Sequence, residues 1–423
     1  MAKNVVSREK LAEFAAAYRS GTEIDNKEAV VQYLSGLGKK TVQLVSEIPE
    51  LLLFMADNGM IPIADIDKYL FEVSWIDYPE VIESLLRYKK NPPEIQTKAI
   101  AEQQEAKAAD PKNDWVTEKK EDGTLRLVSY KGTDVDIRIP TKIGKSMVTT
   151  IGAAAFTPDK PRLKKEMAEL RKKIRSVEIP EGITSIERDT SDNWDHVGAF
   201  QSCSALKELR IPNSIKTLPA KLFQKSGISK IILPDDLEVI ESGAFNECNK
   251  LKSISLPGHI KELQGTLFSG SALEEFLWEK NDGTTELPYY VFGWCTQLRK
   301  VVLPDSLTKI GEHAFAGCIN LKELTIPSAV SVIEKCAFSG CEKLEELHVP
   351  DGVWEINEGT FYGCKKLKQL YLPASVEKIE PGNRARYLDT RTFCECEMLT
   401  IYAPAGSYAE SFALENRIRF TAI

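Results

Sequence analysis

Residues 324–344 read LTIPSAVSVIEKCAFSGCEKL and residues 347–367 read LHVPDGVWEINEGTFYGCKKL, two stretches that align without a gap at a step of about 23 residues. Working outward from them, the pattern returns about ten times between Pro140 and the C-terminus. Its proline recurs at 140, 180, 212, 234, 257, 304, 327, 350, 373 and 404, with Lys280 taken as its equivalent in one degenerate copy. A unit this short cannot bury an apolar face alone, so successive units must stack, and the reading is a solenoid.

Counting back from the proline gives the strand. One position before it stand Ile211, Leu233, Leu256, Leu303, Ile326, Val349 and Leu372; three before it stand Leu209, Ile231, Ile254, Val301, Leu324, Leu347 and Leu370. A period of two marks a short strand with one face inward in every turn. A second apolar pair follows three and six residues after the proline, as in Leu307 with Ile310 and Val353 with Ile356, and then a phenylalanine. The phenylalanines at 156, 200, 223, 245, 268, 292, 315, 338, 361 and 393 are therefore expected to stack as a spine.

Upstream, residues 1–92 show helical rather than alternating spacing, for instance Val31, Leu34, Leu37 and later Val81, Ile82, Leu85, Leu86. Four or five short helices are expected there, with Pro62 and Pro79 at helix starts. The stretch IDKYLFEVSWIDYPEVIESLLRYK weakly resembles the helix pair of a single ankyrin repeat. Residues 93–114 shift to Lys, Glu, Gln, Ala and Pro, a charged linker in which IQTKAIAEQQEAKAA has the composition of an exposed helix. The array is then expected over 115–423, opened by a hairpin in LRLVSYKGTDVDIRIP around Lys131, Gly132 and Thr133 and closed by a cap over about 398–423. The fold class is α+β: a helical domain followed by a solenoid of about ten turns with short parallel strands.

The pattern I/LPxxVxxIxxxAFxGCxxLxxLxLP resembles the BspA-like leucine-rich repeat family over about residues 125–423, because the proline, the Ala-Phe pair and Gly-Cys all recur in register. The ending IYAPAGSYAESFALENRIRF is similar to that family's closing unit, in which a helix after GSYAE covers the last turn. Members are mostly bacterial or protist surface proteins, several of them adhesins toward host matrix proteins, so the resemblance offers a cell-surface adhesin for matrix protein or carbohydrate as the alternative to an intracellular scaffold.

Composition narrows the partners. With a formal net charge of −7 across 423 residues, the chain has no basic footprint for nucleic acid. The start MAKNVVSREKLAEFAAAYRSG lacks a signal-peptide core, and IPELLLFMADNGMIPIADI is broken by Glu50, Asp57, Asn58 and Gly59, so neither export nor a membrane span is expected. A cytoplasmic location follows as the expectation from the sequence as given.

Catalysis has no candidate. The cysteines at 203, 248, 295, 318, 341, 364 and 396 each follow the repeat phenylalanine by three, and Ser226 and Ser271 substitute at that place. They read as one buried structural column of small side chains, not as a disulfide or metal set. Cys336 and Cys394 add too little for a zinc site, and the histidines at 196, 259, 313 and 348 lack a nucleophile or ligand partner. No cofactor or metal is expected. The function read from the sequence is a non-enzymatic scaffold that binds a protein partner through the outward face of the array.

The positions the repeat does not need carry the candidate contacts. Counted from the prolines and from Lys280, Ile232, Phe276, Trp278, Val302 and Tyr371 fall in the outward columns. The rings of Phe276 and Trp278 read either as an exposed interface or as packed against their own loop, FLWEKNDGTTELPYYVFGW. Trp354 stands where other repeats carry Lys216, Glu238 and Lys261, and is expected outside. Three insertions break the period: RDTSDNWDHV (188–197) with Trp194, PGNRARYLDT (381–390) with Arg384 and Arg386, and KPRLKKEMAELRKKI from Lys160, which has the pattern of a basic amphipathic helix.

Overall fold

The computed structural model describes residues 8–19, 51–57, 61, 85 and 114–423, the last without 191–196, 279–282 and 384–390. The chain divides into two compact units, Met1–Ala109 and Asp110–Ile423. In the first, the helices Arg8–Arg19 and Leu51–Asp57 are joined by an edge-to-face contact between Phe14 and Phe54 at 4.8 Å. The remaining helices expected upstream, the ankyrin-like pair and the linker over 93–113 lie outside the described residues.

The second unit is a solenoid of about 12 turns with about 23 residues per turn. Each regular turn contributes a three-residue strand and a two-residue strand, and both kinds pair in parallel with the equivalent strand of a neighbouring turn, in several short sheets rather than one. Glu208–Arg210 pairs with Lys230–Ile232, Ser253–Ser255 with Glu275–Leu277, and Glu346–His348 with Gln369–Tyr371. The short strands stack likewise, Val239–Ile240 between Thr217–Leu218 and Glu262–Leu263.

The interior is built of columns. All ten repeat phenylalanines stack, with successive ring centroids 4.9 Å apart at the start of the spine and up to 5.9 Å within it. The spine ends edge-on at both caps, on Trp115 against Phe156 and on Phe412 against Phe393. Aromatic edges meeting ring faces close the stack without exposing a terminal ring.

Beside the rings runs the sulfur column. The Sγ atoms of Cys248, Cys295, Cys318, Cys341, Cys364 and Cys396 each donate to the carbonyl of the phenylalanine one turn earlier, at 3.0 to 3.3 Å. Cys203 reaches Phe156 at 3.5 Å. The repeat's cysteine therefore adds a second, weaker donor to a buried carbonyl that already accepts the backbone N–H three residues on, as Phe223 O does from Ser226 N at 2.9 Å. None of the nine cysteines is in a disulfide.

The cap differs from its sequence reading. The antiparallel hairpin is Trp115–Lys119 with Leu125–Tyr130, one strand upstream of the pair expected around Gly132. Leu125–Tyr130 instead continues in parallel with Ser146–Ile151, while Asp136–Arg138 begins the three-residue strand stack by pairing with Ser176–Glu178. Residues 131–135 cross between the two strand stacks, so the turn signal was real but does not connect neighbouring strands.

The insertion from Lys160 forms the helix Lys165–Lys172. Its Arg171 is only 1% exposed and donates to the carbonyl of Thr157 at 2.8 Å and to Ser129 Oγ at 2.5 Å, which anchors the helix to the cap. At the other end, the helix Tyr408–Glu415 is capped by Ser407, whose Oγ accepts from Glu410 N while Glu410 Oε2 accepts from Gly406 N, a reciprocal cap.

Candidate partner-binding surface

The outward side chains of the three-residue strands line one side of the array in three paired runs, Asp136–Arg138 through Lys230–Ile232, Ser253–Ser255 through Lys300–Val302, and Glu346–His348 through Arg419–Ala422. Arg210 lies beside Ile232, and Ser255, Leu277 and Val302 are consecutive neighbours. His348, Tyr371 and Tyr402 follow further along. Ile232, Leu277 and Val302 are half-buried. The rings of His348 and Tyr371 stack at 4.0 Å and 3°, and Tyr371 stacks on Tyr402 at 4.8 Å.

The charges beside this row are mixed. His348 Nε2 lies 2.8 Å from Glu346 Oε1, on the outward position two residues earlier. Packing against its neighbours, with Glu346 and Tyr402 close by, pushes the Tyr371 phenol above its ordinary range. The row thus offers an apolar centre and a stacked aromatic run with a polar border, the composition of a protein contact.

Two of the expected contacts are corrected. Phe276 and Trp278 are fully buried, and the outward place between them belongs to Leu277. Phe276 pairs in register with Ile254 and Val301, both members of the inward column, so the count from Lys280 ran one residue too far. With a side-chain period of two, that slip exchanges the faces of the whole strand. Phe276 sits edge-on to Phe292 at 4.7 Å, so it packs into the spine on a phenylalanine that its own stretch FLWEKNDGTTELPYYVFGW supplies, the second of the two sequence readings. The indole nitrogen of Trp278 is buried without a hydrogen-bond partner.

Trp354 is 52% exposed, on the side of the array that carries the two-residue strands. It is therefore separate from the strand row containing Ile232, Val302 and Tyr371. Trp194, Arg384 and Arg386 lie outside the described residues.

One exposed cluster escaped the sequence reading. Tyr290 stacks on Trp294 at 5.1 Å and on His313 at 4.4 Å, and Tyr289 and Trp294 are 52% and 56% exposed. Trp294 occupies a column, two residues after the repeat phenylalanine, whose backbone is left-handed in all turns but the first: Ser202, Lys225, Glu247, Gly270, Trp294, Gly317, Gly340, Gly363 and Glu395 all have positive φ. Its indole lies over the next glycine of that column, where a Cβ on Gly317 would stand 2.8 Å from Trp294 Cδ1. Burial lowers the His313 pKa, with Glu312 opposing the shift. The signal was available: FGWC in place of AFxGC puts the largest side chain where the repeat prefers none.

Among the described residues no group of His, Cys, Asp or Glu could hold a metal ion, and no helix is long and apolar enough to cross a membrane. Desolvation raises the buried thiols of Cys203, Cys248, Cys295 and Cys341 to about 12, which keeps them protonated and unreactive.

The profile of the BspA type leucine rich repeat region matches residues 165–284 and 285–405, with six copies. No curated protein matches the chain. Among solved structures, a leucine rich cell surface protein from Faecalibacterium prausnitzii is 21% identical with a TM-score of 0.35, over 71% of this chain and 95% of that one. A leucine rich repeat protein of T. pallidum is 21% identical with a TM-score of 0.39, over 55% of this chain and 89% of that one. The pneumococcal vaccine antigen PcpA is 22% identical with a TM-score of 0.38, over 73% and 96%.

Proposed function

The chain belongs to the BspA-type leucine-rich repeat family, and from that premise we propose that it is a non-enzymatic scaffold whose outward strand row binds a protein partner. Proteins of this repeat family are typically interaction or surface proteins. The observation that carries the reading is that outward side chains keep register within the paired runs on one side of the array, Leu277 beside Val302 in one and the stacked His348, Tyr371 and Tyr402 in another. Its side chains are held in fixed register by buried columns behind them, so binding orders little that is not already ordered, and the contact free energy is not spent on organising the surface. Half-buried apolar groups in the centre would be desolvated by the partner, while Arg210 and Glu346 would stay at the rim.

The test is affinity capture on the intact chain and on a Leu277→Asp/Tyr371→Ala variant, against source-cell lysate and a panel of extracellular matrix proteins. A protein retained by the first and released by the second, with the thermal midpoint unchanged, is the expected result. Retention of every bound protein by the variant would remove the strand row as the site. Binding confined to matrix proteins would assign the family's adhesin role to this chain.

A further inference from the structure

We propose that the cavity beside the N-terminal cap is a binding site for a small organic monocarboxylate, received by the ammonium group of Lys160. The cavity measures about 850 Å³ and lies where the cap strand Leu125–Tyr130, the turn at 152–154 and the strand Ser185–Ile186 converge on the insertion that carries Lys160.

The charges lining it are committed, with one exception. Arg126 places one terminal nitrogen 2.9 Å from Glu187 and the other 2.7 Å from Glu118. Glu241 accepts from Ala220 N–H at 2.9 Å and lies 4.0 Å from Arg188 Nε. Asp189 accepts from Val197 N–H at 3.0 Å. Lys160 reaches only a carbonyl, that of Val128 at 3.3 Å, and meets no carboxylate among the described residues.

Behind Lys160 stands a second uncompensated cation. Arg171 is buried, bonds only to carbonyls and a hydroxyl, and its Nε has no partner. Burial lowers the Lys160 pKa, and the positive charges of Arg171 and Arg126 lower it further. The ammonium therefore has two cations and no carboxylate as its nearest charged influences, and an incoming anion would gain from Lys160 and Arg171 in a partly desolvated setting.

The size of that anion's charge is set by the rest of the wall. Glu187, Asp189 and Glu241 line the same cavity and would repel a dianion such as phosphate, whereas a single negative charge answers the single unpaired ammonium. Val128, Ile186 and Pro219 supply an apolar side, so the ligand has a short hydrocarbon body behind its carboxylate.

Calorimetric titration of the full chain with butyrate, inorganic phosphate and chloride at equal ionic strength tests this. The expected result is saturable butyrate binding, weakened at least tenfold in Lys160→Gln, largely retained in Lys160→Arg and unchanged in the remote Lys142→Gln. Butyrate heats no different from chloride, or unaltered by Lys160→Gln in a variant that keeps its thermal midpoint, would overturn the proposal. Tighter binding of phosphate than of butyrate would overturn the monocarboxylate assignment.

Discussion

The two faces of the three-residue strands obey different rules. Inward, the positions of Leu209, Ile231, Ile254, Phe276, Val301, Leu347 and Leu370 stay apolar through the array. Outward, the neighbouring row passes through Arg210, Ile232, Ser255, Leu277, Val302, His348 and Tyr371 with no shared chemistry. Stacking explains the difference: an inward side chain must fit its copies one turn away on both sides, whereas an outward one has only solvent to satisfy. Uniform columns therefore report on folding, and the row that varies is where recognition can be written without disturbing the fold.

The comparison breaks most visibly at Trp278. If it belongs to the interior, Trp278→Ala opens a cavity and should cost about 3–5 kcal/mol, as should Phe292→Ala in the spine. Leu277→Ala, one residue away but outward, should cost under about 1 kcal/mol. Denaturant unfolding of the three variants measures this directly. A Trp278→Ala protein as stable as Leu277→Ala would return the tryptophan to the surface and undo the register on which both faces are assigned.

That register also marks how far the sequence could be read. The solenoid, the phenylalanine spine, the thiol column and the closing helix were all legible, because each is repeated in register and any single degenerate copy is outvoted. The turn from Leu273 to Gly283 lacks its proline, so its faces depended on an anchor one residue out, and Phe276 and Trp278 changed sides. The cap hairpin was misplaced for a related reason: it occurs once, and a Lys-Gly-Thr turn signal does not say which two strands it joins. Cavity residues such as Lys160 and Arg126 are 34 positions apart in numbering and joined only by the fold, so no local pattern could have paired them.

A smaller effect sharpens the contrast by pH. The interior thiols are raised from 9.0 to about 12 by burial, while the same groups in the unfolded chain ionise near their ordinary value. The native state thus binds more protons than the unfolded state between these limits. The contribution of these thiols is fully present below about pH 9 and is lost as pH rises toward 12, by up to about 1.4 kcal/mol per unit for each thiol. Replacing Cys248 with Ser, the residue already found at 226 and 271 in that column, should lessen the stability lost between about pH 8 and pH 10 by roughly one such increment. Unfolding curves at the two pH values that shift identically with and without Cys248 would show that its thiol does not contribute to the alkaline loss.

The smallest change is expected where the two rules meet. Trp294 occupies a column that the backbone forces into the left-handed region, with φ at 58°, yet its side chain is largely exposed. A non-glycine residue there costs about 1–2 kcal/mol, which Trp294→Gly would relieve. The variant loses the stack on Tyr290, of about 0.5–1.5 kcal/mol, and gains unfolded-state freedom of about 0.5–1 kcal/mol. These terms nearly cancel, so the unfolding free energy should rise by no more than about 1 kcal/mol or fall by no more than about 1.5 kcal/mol. Because Gly270, Gly317, Gly340 and Gly363 fill the same column, a loss above about 2 kcal/mol would show that the Trp294–Tyr290–His313 stack is a structural element of this turn. A near-zero change would mean that folding does not require the aromatic stack, leaving it as a second exposed surface on which a contact could be built.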